Sequence, residues 1–122
     1  MANADLRAML RGMEPVLHAE PYGFTVQAQA VPSAFATVAE DEGLTVIAPV
    51  SILPAKAHWA RISLRLDSDL SAVGLTAAFA AALAAEGVSA NVIAGLHHDH
   101  IFVPWDRREA ALRALQILAR DA

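Results

Sequence analysis

Five histidines and no cysteine set the chemistry open to this chain of 122 residues. Three of the histidines, His97, His98 and His100, bracket Asp99 in a single short run. Imidazole is a common metal ligand, so the run invites a metal reading. If the segment is a strand, alternation puts His98 and His100 on one face and His97 on the other. If it is a turn, the rings scatter and Asp99 makes local backbone hydrogen bonds instead. A His–Asp general-base pair is the catalytic version of the same run. No serine or threonine sits in a nucleophile motif, and there is no glycine-rich phosphate loop. Without cysteine, thiolate nucleophiles, disulfides and Cys-ligated zinc are excluded. The run is therefore read as bordering a subunit contact or a ligand pocket, with no catalytic residue, no metal site and no cofactor assigned. His18 and His58 stand alone and read as structural, and Trp59 and Trp105 as packing anchors.

The elements that must position these residues are legible from periodicity. Residues 60–66 alternate, with Ile62, Leu64 and Leu66 on one face and Arg61, Ser63 and Arg65 on the other, as in a half-buried strand. A helix follows, with Ser68 or Asp69 as its N-cap, Val73, Leu75, Phe79 and Leu83 along its faces, and Gly87 at its end. Strands come next at residues 90–94 and 101–103, and Pro104 limits the second. Asp106 and Glu109 resemble a capping box for a last helix with Leu112, Leu115 and Leu118 on its inner stripe. Upstream, residues 5–13 read as a short amphipathic helix. Residues 16–30 read as a hairpin, with Phe24, Val26 and Ala28 on one face. Residues 33–43 read as a helix capped by Ser33 and ended by Gly43, and residues 44–48 as a strand. Ser51 to His58 has room for a single helical turn. Residues 33–45 align without gaps to residues 77–89, which suggests an internal duplication.

Composition sets the outer bounds. The length suits one core. The hydrophobic fraction of 56% and charged fraction of 18% leave apolar surface for a partner subunit to cover. A net charge of -4 gives no electrostatic footprint for nucleic acid or an anionic membrane. The apolar run at residues 70–85 is too short to span a bilayer. The early Asp5 and the lack of an apolar core argue against a signal peptide, so a cytoplasmic location is expected.

The expected fold class is α+β, a ferredoxin-like β-α-β-β-α unit that lacks its sixth element. The first strand would then be left with a bare edge. A strand from the N-terminal half, at 24–30 or 44–48, is expected to fill it. The helices should share one face of the sheet. The other face, bearing Arg61, Ser63, Arg65, Phe102 and Ile93, should meet a second sheet or subunit.

The blocks V-G-L-T-A (73–77) and S-A-N-V-I-A-G (89–95), followed by H-D-H-I-F-V-P (98–104), resemble an ACT domain. More narrowly, residues 60–118 resemble stand-alone bacterial ACT proteins related to the ACT modules of aspartokinases and of arginine-sensing proteins. E-G-L-T-V-I-A-P (42–49) and the Tyr22/Phe24 segment resemble that family too. The resemblance implies an N-terminal ACT-like half-unit at 1–58 and an ACT domain at 59–122. It implies a regulatory module without catalysis that binds a small molecule, an amino acid by preference, between units of a homo-oligomer. An ACT protein of purely structural or protein-binding role is the alternative. By carry-over, Asp67, Ser68, Val73, Gly74 and Leu75 would line the strand-to-helix turn, and Asn91, Val92 and Ile93 the neighbouring strand. The common Asp-x-Pro-Gly of the family's turn is replaced here by Asp67-Ser68-Asp69-Leu70, with the glycine later at Gly74. A helix N-terminus favours a carboxylate, and Asp67 and Asp69 an ammonium, so a zwitterion suits both. The competing reading is that Ser68 or Asp69 only caps the helix.

Overall fold

Seven strands form one antiparallel sheet in the computed structural model, which describes residues 2–65 and 73–122. The strands are β1 (Pro15–Leu17), β2 (Tyr22–Gln27), β3 (Ala36–Glu40), β4 (Gly43–Pro49), β5 (Trp59–Leu64), β6 (Asn91–Ala94) and β7 (Asp99–Pro104). Helices α1 (Ala2–Arg11), α2 (Leu75–Ala85) and α3 (Arg108–Asp121) complete the order, with a 3-10 turn at Trp105–Arg107 leading into α3. The sheet runs β3-β4-β2-β5-β7-β6, and β1 pairs with β5 beside β2.

The C-terminal part is the expected unit. β5 and β6 each run antiparallel to β7, which lies between them. They are therefore parallel to one another and joined through α2, a split β-α-β. Ala60, Ile62 and Leu64 of β5 and Ile101 and Val103 of β7 turn one face to the helices. Leu75, Phe79 and Leu83 recur every four residues along α2 and are buried against that face, as are Ala111 and Leu115 of α3. The helix ends in a Schellman motif: Val88 N–H donates to Leu83 C=O and Gly87 N–H to Ala84 C=O. Gly87 holds φ +69, which a glycine adopts without Cβ strain.

The edge of β5 is filled from the N-terminal half, as expected; β2, the strand expected there, is its neighbour in the sheet, but β1 makes most of the pairing. Pro15, Val16 and Leu17 pair with Leu64, Ser63 and Ile62, and Tyr22 pairs with Trp59 further along the same edge. His18 keeps register, its N–H bonded to Arg61 C=O; three residues, 19–21, then span a stretch that β5 covers with Ala60 alone, so the chain bulges outward there. Residues 16–30 are consequently no hairpin; β1 and β2 follow one another along β5, and β2 pairs with β4 on its other side.

The expected helix at 33–43 is the strand β3, joined to β4 by a tight turn at Asp41–Glu42 with Glu40 opposite Gly43. Ser33 is no helix cap; it has φ 69 in the approach to β3. Thr37 and Val38 are β-branched, which favours a strand, where the matching helix residues at 81 and 82 are alanines. The suspected duplication of 33–45 at 77–89 is thus not structural. Two cap assignments also change. The cap of α2 is Gly74, with φ 93, and not Ser68 or Asp69; Ser68 and Asp69 lie outside the described residues. The cap of α3 is Arg107 without a side-chain bond, because the 3-10 turn absorbs Asp106 before the helix starts.

The sheet curls, and its concave face holds a second cluster. Tyr22, Ile47 and Phe102 are buried there, with Phe24, Phe35, Trp59 and Ile93 packed around them. Phe102 has ring centroids within 6 Å on three sides, at 5.6 Å from Tyr22, 5.5 Å from Phe24 and 5.7 Å from Phe35, all edge-on. Burying such a ring contributes about 2–3 kcal/mol. Phe35, just ahead of β3, reaches His100 on β7 at 4.9 Å between centroids, although three strands separate β3 from β7 in sheet order.

Candidate functional site

Alternation along β5 aims Arg61, Ser63 and Arg65 at the concave face, and alternation along β7 aims His100 and Phe102 there too, because Ser63 pairs with His100 and Arg61 with Phe102. Alternation from Val16, which pairs with Ser63, aims His18 at the same place, with its N–H bonded to Arg61 C=O. A cleft of about 430 Å³ results, lined by Val16, His18, Arg61, Ser63, Arg65, His98 and His100.

Ser63 sits at its floor, 7% exposed. Its Oγ is 2.8 Å from His18 Nε2 and 2.8 Å from His100 Nδ1. Arg61 Nη2 lies 3.4 Å from the same His100 Nδ1. A guanidinium can only donate, so Nδ1 is an acceptor. The order of the chain follows: His18 Nε2–H donates to Ser63 Oγ, Ser63 O–H donates to His100 Nδ1, and His100 carries its proton on Nε2. Arg61 Nη1 donates to Tyr22 Oη at 2.9 Å. Its guanidinium carbon lies 4.0 Å from the Phe35 ring centroid, a cation–π stack. Its Nε is buried without a partner. Among the described residues no carboxylate pairs with Arg61.

The electrostatics follow from this crowd of donors. Burial, then the charge of Arg61, then His18 and His98 lower the His100 pKa to about 4. Burial, then Arg61 and Arg65 lower that of His18, with Glu20 opposing. Both rings are neutral at pH 7. Asp99 faces the helix layer, by alternation away from the cleft, and burial raises its pKa. A hydrolytic reading of the Ser63–His100 pair would need a carboxylate to orient the base; no described carboxylate bonds either histidine. No cluster of three or more metal-ligating side chains exists among the described residues, so the 97–100 run does not gather a metal set. His98 and His100 do share the cleft, while His97 does not line it.

The residues expected to bind a ligand divide differently. Asp67 and Ser68 lie outside the described residues. Val73 is 80% exposed, Gly74 abuts Leu6, and Leu75 is buried in the helix-side core. On β6, Val92 packs toward the helices while Ile93 packs into the aromatic cluster on the opposite face, and Asn91 is exposed. Leu64, Asp99 and Ala94 lie in line at the sheet end where β5 exits toward α2, and Asn91 lies three residues back from it on the outer edge. Arg61, Ser63 and Arg65 were visible in the sequence as a polar strand face. His18 was not linked to them, because only the pairing of β1 with β5 brings it across 45 residues of chain.

This curled sheet, with helices on one face and a polar cleft on the other, belongs to a class of regulatory folds. The ACT domain family models match residues 55–116 and residues 2–58, and the chain belongs to the ACT domain family. A crystal structure of a Vibrio cholerae protein of unknown function, described as a possible transport protein, is 39% identical over 98% of this chain and 99% of that one, with a TM-score of 0.86. An Agrobacterium tumefaciens protein superimposes with a TM-score of 0.73 at 15% identity, over 88% of this chain and 89% of its own. The ligand-free regulatory subunit of aspartate kinase from Thermus thermophilus does so with 0.59 at 12%, over 88% and 98%. The last two show a shared fold. No curated protein matches. ACT domains are generally regulatory ligand-binding modules that often oligomerise. No helix among the described residues is long and apolar enough to cross a membrane.

Proposed function

We propose that this ACT protein is a small-molecule sensor without catalysis of its own, with amino acids as the ligand class and the concave cleft as the binding site. The observation that carries the reading is the cleft itself. Its volume suits a small metabolite. Its side chains are ordered by the Ser63 hydrogen-bond chain and the stacked Arg61, and that order costs a ligand little to exploit. Residues 1–58 contribute Val16 and His18 to its lining, and residues 59–122 contribute Arg61, Ser63, Arg65, His98 and His100. Such a module acts by passing occupancy to a partner, and a homodimer in the cytoplasm is its natural setting. In a homodimer the edge strand β6 is open to a second copy, and residues Asn91, Val92 and Ile93 first picked out for ligand binding lie on it.

The test is a thermal-shift screen of the twenty amino acids and common metabolites at millimolar concentration. A ligand at ~100 times its Kd stabilises by ~2.7 kcal/mol. At least one compound should raise the melting temperature and perturb the His18 and His100 resonances. A screen with no response rejects the sensor reading in favour of a protein-binding role.

A further inference from the structure

We propose that the cleft recognises an oxyanion, a carboxylate or a phosphate, held between Arg61 and Arg65, and that it does not recognise an ammonium group. The proposal rests on the reading of the cleft as the ligand site and narrows its chemistry.

Two guanidiniums, three imidazoles and one hydroxyl make up the polar lining, and no carboxylate among the described residues belongs to it. Arg61 is fixed on Phe35 and Tyr22, two aromatic partners that hold a cation without neutralising it. A half-buried guanidinium in that state gains more from an incoming anion than a solvated one does, because charge-assisted bonds strengthen away from water. Its buried Nε–H has no partner among the described residues. Arg65 lies two residues along the same strand face and is exposed. Of the acceptors, Ser63 Oγ takes the His18 proton and His100 Nδ1 takes those of Ser63 and Arg61, which leaves His18 Nδ1 as a neutral acceptor. An ammonium entering here would meet two like charges and no described carboxylate to neutralise it. Glu20 is exposed, bonded to Ser51, and outside the lining. Asp99 faces away.

The prediction is that the ligand's acid group suffices. Inorganic phosphate, lactate and alanine should each shift the His18 and His100 imidazole resonances saturably. Alaninamide, which keeps the ammonium and lacks the carboxylate, should not. Arg65→Gln, at an exposed position, should leave the fold intact and weaken lactate and phosphate at least about threefold, the scale of one partly screened ion pair. Arg61→Gln should abolish the response. Phosphate separates an inorganic-oxyanion preference from a carboxylate one. Alaninamide binding as well as lactate overturns the proposal while leaving the cleft as the ligand site. A chloride titration at matched ionic strength that reproduces the shifts overturns it as mere screening. No response at His18 and His100 to any amino acid or anion removes both the proposal and the sensor reading beneath it.

Discussion

Protonating His100 should cost this protein stability in a window that ordinary carboxylates leave alone. The ring's pKa falls from 6.5 to about 4 on folding, through burial first and then the Arg61 charge. A depressed histidine means that the unfolded chain binds more protons than the folded one between those two values. Stability is then full above pH 6.5 and declines as pH drops toward 4. The interval corresponds to ~3 kcal/mol at ~1.4 kcal/mol per pH unit. The ring is only half-buried, and solvent screening reduces the figure to ~1–2 kcal/mol. His18 acts in the same direction. Asp99, raised by burial, acts in the opposite one, gaining stability as pH falls through its folded pKa. The difference between two proteins is therefore the clean readout. Urea unfolding of wild type and His100→Gln at pH 7, 6, 5 and 4.5 should show wild type losing ~1–2 kcal/mol more than the variant across the range. Equal slopes for the two, or an NMR titration placing the folded His100 near 6.5, would refute the reasoning.

Two further substitutions test the frame that holds the cleft. Gly87→Ala places a Cβ in open space at φ +69, so the cost is backbone strain alone, ~1–2 kcal/mol by urea unfolding; a change near zero would mean the Schellman end of α2 is not formed. Phe102→Ala removes a fully buried ring at the meeting point of three aromatic neighbours and should cost ~3–5 kcal/mol, with loss of near-UV ellipticity; a loss below ~1 kcal/mol would mean that the concave cluster is loosely packed.

Local periodicity made the C-terminal unit readable. Ile62 and Leu64 alternate, and Phe79 and Leu83 recur every four residues, because each element shows one face to one core. β3 carries no such mark. Residues 37–40 are all exposed, so neither a two-residue nor a helical period is written into them, and the likeness to 77–89 pointed to the wrong structure. Thr37 and Val38 were the available signal. The polar face of β5 was legible, and so was the pairing of His98 with His100 under the strand reading. The site as a whole was not. Its His18 arm depends on the long-range pairing of β1 with β5, and the stack of Arg61 on Phe35 depends on sheet curl. Both are tertiary properties that no local pattern encodes.

The strand that completes β5 is made long before β5 itself. Ser63 must exist before Val16 has a neighbour, and 47 residues of chain separate the two. Closing so long a loop costs entropy before any contact rewards it, so such pairings form late and slowly. As the ribosome extrudes the chain, the three strands β2, β4 and β3, with β4 in the middle, can pair early, while the segment around Val16 waits for its complement. The cleft is accordingly assembled last, when both halves have left the tunnel, and a product cut off before β5 carries only Val16 and His18 of its lining.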